Sequence, residues 1–152
     1  MFITTRTQYA VIALLELQSN EGKYITLSSI ADKHFIELSY LEVICTKLRR
    51  NGILKAAKGP GGGYSLVKPA NQISLLSILM ATGERIKLTR CNGEYGCMKN
   101  NQKCETHELW SSMEKHIKDY LHSINLPSIK DSSGCNLMRK IISQYSNDIP
   151  RS

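Results

Sequence analysis

The sequence predicts a mainly α-helical fold with one small β-hairpin, the wing, and a long helix in its C-terminal part. Apolar residues recur at three- and four-residue spacing in three successive segments of the first 52 residues. Two short β-prone runs then flank the glycine-rich segment 58–63. A third observation is one apolar stripe that continues through residues 106–124. Three helices followed by a hairpin are typical of a winged helix-turn-helix.

The helix-turn-helix part is predicted from three apolar repeats. The first two helices are Thr5–Ser19 and Ser28–His34, with a short extended segment, Tyr24–Thr26, before the second. The third begins at Ser39, because Glu42 stands three residues later in the pattern of a capping box. Gly52 is well placed to end it, since glycine readily adopts the left-handed conformation that follows many helices.

The wing is predicted from two strands, Ile53–Ala57 and Tyr64–Val67, around the segment Lys58-Gly59-Pro60-Gly61-Gly62-Gly63. Glycine permits positive φ and close backbone approach, so the tip can enter a groove or meet a phosphate through N–H groups. The Walker loop that binds nucleotide phosphates is excluded, because no Gly-Lys-Ser/Thr follows. A plain flexible turn is the alternative interpretation.

Two further helices are predicted after the wing. The first begins at Ser74, a suitable N-cap, and ends before Gly83; the second is the long helix from Thr106 to Ser123. The intervening segment 91–104 is too polar to bury itself, so something else must order it. A short amphipathic helix, Leu137–Tyr145, is predicted in the tail.

Length and charge narrow the class of protein. A chain of 152 residues is the size of one compact domain with an appendage. Residues 47–90 carry nine basic side chains against one acidic side chain, Glu84, which is a local charge of +8. A field of one sign at that density usually faces a polyanion, most often DNA or RNA. A merely solvated basic face is the alternative.

Within a winged helix-turn-helix the third helix enters the major groove, and its N-terminal residues lie nearest the bases. The residues expected to contact DNA are Arg6, Glu37, Ser39, Tyr40, Glu42, Lys47, Arg49, Arg50, Lys58, Gly59, Gly61 and Gly62. Among them Glu42 can accept a hydrogen bond from the amine of cytosine while it repels phosphates, so we expect it to select sequence. Its alternative role is helix capping.

Four soft donors, Cys91, Cys97, Cys104 and His107, are spaced by five, six and two intervening residues. Structural zinc sites usually include two cysteines separated by two to four residues, and this set has no such pair. Iron–sulfur clusters tolerate wider spacing, and histidine can replace one thiolate. The set therefore favours an iron–sulfur cluster over zinc, with free cysteines in a loop as the third possibility.

The long helix is expected to mediate dimerisation. Its apolar face consists of Leu109, Trp110, Met113, Ile117, Tyr120, Leu121 and Ile124. One stripe of that length suggests a partner helix, most simply a second copy of the chain across a two-fold axis. Ordinary packing on the N-terminal core is the alternative. We divide the chain into a DNA-binding domain (1–83), a cluster-binding loop (84–105), a dimerisation helix (106–126) and a C-terminal tail (127–152).

Several motifs together resemble the bacterial iron–sulfur cluster regulators of the IscR type. They are Ser39-Tyr40-Leu41-Glu42, Leu48-Arg49-Arg50-Asn51-Gly52, Gly59-Pro60-Gly61-Gly62-Gly63-Tyr64 and the set Cys91, Cys97, Cys104, His107, and the similarity covers roughly residues 1–125. The resemblance implies a homodimeric winged-helix transcription factor that holds a two-iron two-sulfur cluster through these three cysteines and the histidine. It also implies that cluster occupancy alters DNA preference, and that the residue at position 42 disfavours one class of operator when the cluster is absent.

The chain departs from that family pattern in places. Lys58 stands where an arginine usually precedes the wing, and lysine lacks the planar fork that suits a narrow minor groove. Glu37 replaces a residue that is often small and polar, so we expect a different base preference. Cys45 reads as a core thiol, and Cys135 has no assigned role.

Other classes of function are weighed against this expectation. We expect a cytoplasmic regulator of cluster-assembly genes, with double-stranded operator DNA as partner, no membrane contact and no small-molecule substrate. A nitric-oxide or redox sensor with a different cluster is the main alternative, and a zinc-stabilised module is less favoured. A thiol oxidoreductase is disfavoured because no Cys-x-x-Cys pair and no alternating strand–helix pattern is present.

Overall fold

The computed structural model describes residues 3–89, 97 and 102–131. Its helices and strands, in chain order, are α1 (Thr5–Ser19), α2 (Leu27–His34), α3 (Leu38–Arg50), β1 (Leu54–Ala57), β2 (Gly63–Leu66), α4 (Leu75–Thr82), α5 (His107–Ser123) and α6 (Leu126–Lys130), with a 3-10 turn, Ala70–Gln72, before α4. The predicted fold class, a mainly α-helical winged helix-turn-helix followed by a long helix, is confirmed. The predicted tail helix Leu137–Tyr145 and ligand Cys91 lie outside the described residues.

The core lies between α1, α3 and α4, and the apolar repeats that predicted these helices are the residues it buries. It is formed by Ala10, Ala13, Leu14 and Leu17 of α1, Leu41, Ile44, Cys45 and Leu48 of α3, and Ile78 and Ala81 of α4, with Ile30 of α2 and Leu54 of β1. Each fully buried leucine or isoleucine contributes roughly 1.5–3 kcal/mol relative to an exposed one. This burial fixes which face of α3 is left for solvent.

The ends of α3 and α4 follow local rules. After α3, the amide of Gly52 donates to the carbonyl of Arg49 (3.0 Å) and the amide of Ile53 to that of Leu48 (3.0 Å). This pair of bonds is a Schellman motif, and Gly52 provides its left-handed residue with φ 70°. The predicted capping glycine is therefore confirmed. At the start of α4 the Ser74 hydroxyl accepts a bond from the amide of Ser77, as predicted for an N-cap.

The capping box predicted at the start of α3 is wrong. The helix begins one residue earlier, at Leu38, and Glu37 occupies the N-cap position without a side-chain cap. The Ser39 hydroxyl, already inside the helix, donates to the Glu37 carboxylate (2.6 Å) instead. Glu42 is exposed and takes no part in capping. Its carboxylate therefore remains available for another role.

The wing is an antiparallel pair that is also bonded to the chain before α2. Strands β1 and β2 pair from Leu54 with Leu66 to Ala57 with Gly63. Ile25 exchanges both backbone hydrogen bonds with Tyr64, at 2.9 and 2.8 Å. The extended segment predicted before α2 thus forms a one-residue third strand. The base of the wing is held from two sides.

Candidate DNA-binding surface and ligand cluster

The third helix and the wing enclose an open cleft of about 550 Å³. Leu38, Glu42 and Thr46 of α3 line one wall, and Gly59 and Gly62 of the wing line the other. Thr26 and Ser28, at the N-terminus of α2, close one end. Backbone N–H groups at a helix N-terminus attract anions, so this end is suited to a phosphate. Glu42 and the wing glycines Gly59 and Gly62 therefore line the same cleft.

The wing tip requires glycine at two of the positions singled out by the sequence. The Gly62 amide donates to the Gly59 carbonyl (2.9 Å), which tightens the turn, and Gly59 has φ 87°. A Cβ placed on Gly62 would lie 2.4 Å from the carbonyl oxygen of Ala57. No side chain therefore fits there without a backbone shift. Lys58 is exposed next to this turn.

Other predicted DNA contacts fall into two groups. Glu37, Ser39, Arg49 and Arg50 are exposed on α3 or at its start. Tyr40 is half-buried and packs edge-on against Tyr9, with ring centroids 6.0 Å apart. Most of the Tyr40 ring is thus used to hold α3 against α1.

Two predicted basic contacts, Arg6 and Lys47, lie instead at the carbonyl end of α4. The Arg6 guanidinium donates from Nη1 to the carbonyl of Thr82 (3.3 Å). Lys47 Nζ lies near Gly83, the residue that follows α4, since a side-chain Cβ on that glycine would be 3.9 Å from it. Cations are favourable near the C-terminus of a helix because unpaired carbonyls concentrate negative charge there. The bond to Thr82 gives Arg6 a structural role in the fold, whereas Lys47 is only near this helix end, and its predicted DNA contact stays a prediction.

Among the predicted cluster ligands, Cys97 and His107 lie together. Cys97 Sγ is 3.0 Å from His107 Nδ1. The His107 side chain is only 3% exposed, and it begins α5. The His107 amide donates to the carbonyl of Cys104 (3.0 Å), which places the third ligand one turn before the helix. Within the described residues no group of three metal-binding side chains is assembled.

The donor set fits an iron–sulfur cluster in its chemistry. A thiol in contact with a buried imidazole nitrogen presents two donors of the kinds that iron accepts, and the Cys104 thiol follows on the same turn. Burial of His107 keeps bulk water from this side chain. Nδ1 is the nitrogen that faces the thiol. Nδ1 would therefore be the donor atom of His107 in such a site.

Glu84 links the segment before the ligands to the first helix. Its Oε1 atom accepts hydrogen bonds from the hydroxyl and amide of Thr4 and from the Thr7 hydroxyl (3.1 Å). The Thr7 and Thr82 hydroxyls are 2.8 Å apart and buried. The bonds from Thr4 and Thr7, together with the nearby Arg6 charge, lower the pKa of the Glu84 carboxyl. We call this group, Thr4, Thr7, Thr82 and Glu84, the threonine clasp.

The sequence interpretation missed the threonine clasp. Glu84 is the single acidic residue in the basic segment 47–90. An isolated acid in a field of one sign is a signal that it has a specific partner. The threonines gave no comparable signal, because their pairing depends on how α1 and α4 pack. Sequence alone could therefore have pointed to Glu84 but not to its partners.

The same segment also contacts α5. The Ile86 side chain is buried with Leu79 of α4 and Leu121 of α5 in a second, smaller cluster. The Leu88 amide donates to Glu114 Oε2 (3.5 Å), and the other oxygen of Glu114 accepts from Lys118 at 2.6 Å. Residues 84–88 thus join the winged-helix half to the long helix, shortly before the predicted ligand Cys91 in the sequence.

The predicted dimer face on α5 divides into two parts. Leu121 and Ile124 are buried within their own chain, and Ile117 packs against α4 in the smaller cluster. Tyr120 is half-buried. Leu109, Trp110 and Met113 are 55%, 38% and 43% exposed. For the C-terminal half of α5 the structure therefore shows packing on the chain's own core, and the exposed part of the stripe lies in the N-terminal half.

Comparison with known proteins identifies the family. The Rrf2 family, described as an iron-dependent transcriptional regulator, matches residues 3–132. The chain belongs to the Rrf2 family. It is 41% identical over 130 residues to a putative HTH-type transcriptional regulator of Haemophilus influenzae, covering 85% of this chain and 86% of that protein. It is 40% identical over 131 residues to the regulator IscR of Pectobacterium carotovorum, covering 85% and 79%.

Solved structures give the same fold. The cysteine regulator CymR of B. subtilis superposes with a TM-score of 0.71 at 24% identity, covering 87% of this chain and 98% of that one. T. potens IscR superposes with a TM-score of 0.67 at 26% identity, covering 88% of each. This Rrf2 chain is therefore a DNA-binding transcriptional regulator and not an enzyme. Within the part of the chain that the structure describes, every helix is too short or too polar to span a bilayer.

Proposed function

We propose that this Rrf2 regulator holds a two-iron two-sulfur cluster through Cys91, Cys97, Cys104 and His107, and that cluster occupancy changes how it binds operator DNA. The observation that carries the proposal is the 3.0 Å contact between Cys97 and the buried His107 ring. The cluster would supply a rigid bridge among four side chains that are separated along the chain. The relatives named IscR and the iron-dependent description of the family support this choice.

The coupling to DNA runs through residues 84–88. The Glu84 carboxylate is bonded to the start of α1, and Ile86 and the Leu88 amide contact α4 and α5. Cluster binding at Cys91, three residues beyond Leu88, would pull on this segment. A ligand shifts an equilibrium only if it binds two states with different affinity, and typical coupling changes affinity about 5- to 150-fold.

The DNA surface of the proposal consists of the cleft and the exposed end of α3. Glu37, Ser39 and Glu42 would face bases, whereas Arg49, Arg50, Lys58 and the wing glycines would contact the backbone or a minor groove. The charged and hydroxyl side chains proposed to contact DNA are all exposed: Glu37, Ser39, Glu42, Arg49, Arg50 and Lys58. The proposed targets are genes for iron–sulfur cluster assembly, because a protein that loses its own cluster reports directly on cluster supply.

A homodimer would complete the protein. Leu109, Trp110 and Met113 lie on one face of the N-terminal end of α5, because Met113 follows Leu109 by four residues and Trp110 by three. All three are exposed. A second copy related by a two-fold axis would cover this stripe, and two recognition helices would then read two half-sites. Leu109→Glu tests the dimer, and sedimentation should show a monomer at micromolar concentration. Persistence of a dimer in this variant would refute the assigned interface.

The cluster is tested on protein prepared and reconstituted without oxygen. We expect visible absorption, with about two iron and two acid-labile sulfide per chain. Cys97→Ala should lose both, whereas Cys45→Ala, which removes a core thiol, should keep them. Zinc without colour or sulfide would overturn the cluster in favour of a structural metal. A cluster of different stoichiometry would favour the sensor of nitric oxide or redox state.

Coupling is tested by DNA titration. Duplexes selected from a random pool by the reconstituted protein serve as the probe. Holo-protein and apo-protein should differ in affinity or in preferred sequence, and Cys97→Ala should match the apo-protein. Glu84→Gln should keep the cluster but reduce the difference, whereas Glu21→Gln, at an exposed turn after α1, should not. Identical binding by holo-protein and apo-protein would remove the sensing role and leave the DNA-binding function intact.

A further inference from the structure

Val43 is a large apolar side chain that the fold leaves uncovered on α3. It is 52% exposed, although it stands between Glu42 and the fully buried Ile44. Valine is also a poorer helix former than alanine or glutamine, so the position gains nothing for the helix. Neither the core nor the smaller cluster includes it. Its exposed methyl groups therefore have no role within the described fold.

Helix geometry puts Val43 at the centre of the outward face. The buried residues of α3 are Leu41, Ile44, Cys45 and Leu48. With about 3.6 residues per turn, the positions directly opposite this buried face are Ser39, Val43, Thr46 and Arg50. Ser39 and Arg50 are exposed, and Thr46 lines the cleft toward the wing. Val43 is therefore the apolar member of an otherwise polar and basic stripe.

We propose that Val43 reads a thymine by contact of its methyl groups with the thymine C5-methyl group. In the major groove only thymine presents a methyl group, so an apolar side chain at the centre of a recognition helix selects for it. Glu42, on the neighbouring position toward the cleft, would accept a hydrogen bond from a base amine in the same half-site. This inference rests on the proposed DNA function and names one determinant of its sequence preference.

The competing explanation is a solvated valine of no consequence, since isolated apolar residues are common on surfaces. Several other exposed apolar residues lie outside α3, among them Val67 at 46% and Met80 at 65%. Val67 follows β2 and its amide is bonded to the carbonyl of Ile53 (3.0 Å) at the base of the wing. Val67 is thus a matched control for loss of an exposed valine away from the recognition helix.

The test begins with selection of duplexes from a random-sequence pool by the full-length, reconstituted protein. Each thymine of the enriched sequence is then replaced by deoxyuridine, which removes one methyl group and keeps base pairing. We expect one position per half-site at which this change weakens binding about fourfold, the effect of one buried methyl group. Val43→Ala should bind the thymine duplex more weakly and lose the discrimination against uracil at that position.

The decisive quantity is the double-mutant cycle between Val43→Ala and the thymine-to-uracil change. A coupling of about threefold or more supports the contact, and Val67→Ala should show no coupling. Unchanged helical circular dichroism of Val43→Ala excludes a folding defect. Val43→Gln should move the preference at that position toward adenine. Enrichment of a sequence whose uracil effects are the same for wild type and Val43→Ala would overturn this inference alone, whereas no enriched sequence at all would overturn the DNA function on which it rests.

Discussion

The winged-helix half, residues 3–83, and the segment 84–107 are stabilised by different kinds of interaction. The first is built on a continuous apolar core of helices α1, α3 and α4. Among the described residues of the second, Ile86 is buried against α4 and α5, His107 is buried beside Cys97, and Glu84 and Leu88 make polar contacts with α1 and α5. We expect a segment with so little apolar burial to gain order when a ligand binds to it. The described residues of this segment are therefore expected to be less stable than the winged-helix half.

The largest contrast is expected in thiol reactivity. Burial raises the pKa of the Cys45 thiol from its ordinary value of 9.0 to about 12. Because the thiolate is the reactive form, alkylation of Cys45 in folded apo-protein at pH 8 should be at least about a thousandfold slower than in urea. Half-buried Cys97 should react well before it. Peptide mass spectrometry after timed iodoacetamide treatment measures both, and equal rates in folded protein would contradict the comparison.

Truncation of side chains should separate the two regions in stability. Leu48 is fully buried in the main core, so Leu48→Ala should lower the free energy of unfolding by about 4 kcal/mol. Ile86 belongs to the smaller cluster and is 6% exposed, so Ile86→Ala should cost about 2 kcal/mol. Urea unfolding of apo-protein gives both values. If Ile86→Ala lowered the free energy of unfolding as much as Leu48→Ala, the comparison would be wrong, because the segment 84–107 would then be as stable as the main core.

Two wing glycines sharpen the comparison within the stable half. Gly63 has φ 139°, and a Cβ there would lie 2.4 Å from the Ile25 carbonyl oxygen. Gly61 has φ 74° and open space around it. We expect Gly63→Ala to cost about 3 kcal/mol and Gly61→Ala about 1 kcal/mol, since only the first adds a backbone clash to conformational strain. Thermal melting of the two variants checks this order, and a Gly61→Ala variant that melts lower would reverse it.

The smallest effect concerns pH and the threonine clasp. The bonds from Thr4 and Thr7 lower the pKa of Glu84 below its ordinary value of 4.5. Its stabilising effect is therefore complete above pH 4.5 and is lost as the pH falls through the folded-state pKa. Glu84→Gln should show a shallower fall in melting temperature in that acid range.

Glu16 also stabilises the fold above its folded-state pKa, because its bond to Lys33 lowers the pKa of its carboxyl. Glu16→Gln is therefore the control for a carboxylate that lies away from the clasp. Superimposable acid profiles for wild type and Glu84→Gln, with a shallower one for Glu16→Gln, would show that the clasp does not stabilise the fold.

Local patterns were enough to predict most of the winged-helix half. The bounds Thr5–Ser19 of α1, the Ser74 cap and the glycines after α3 and α4 followed from periodicity and turn chemistry. The start of α3 was wrong because a Ser-x-x-Glu pattern does not distinguish a cap from two exposed helical residues. The short helix α6 was missed, since five residues carry too little periodicity.

The candidate site was only partly predictable for a different reason. The donor types and spacing indicated the ligand set, and the structure brings Cys97 and His107 into contact. The role of Arg6 depends on where α4 ends in space, and the division of the α5 stripe depends on how far α4 covers it. Such facts arise from contacts between segments that are distant in sequence. No local pattern carries them.

The double attachment of the wing has a consequence for the partner duplex. Because Tyr64 is bonded both within the hairpin and to Ile25, the base of the wing is held to the segment before α2 in the absence of DNA. If this surface binds DNA as proposed, the wing would stay in place and the duplex would have to deform to fit it. Sequences whose grooves narrow or bend at low energetic cost will be favoured even at base pairs that no side chain touches.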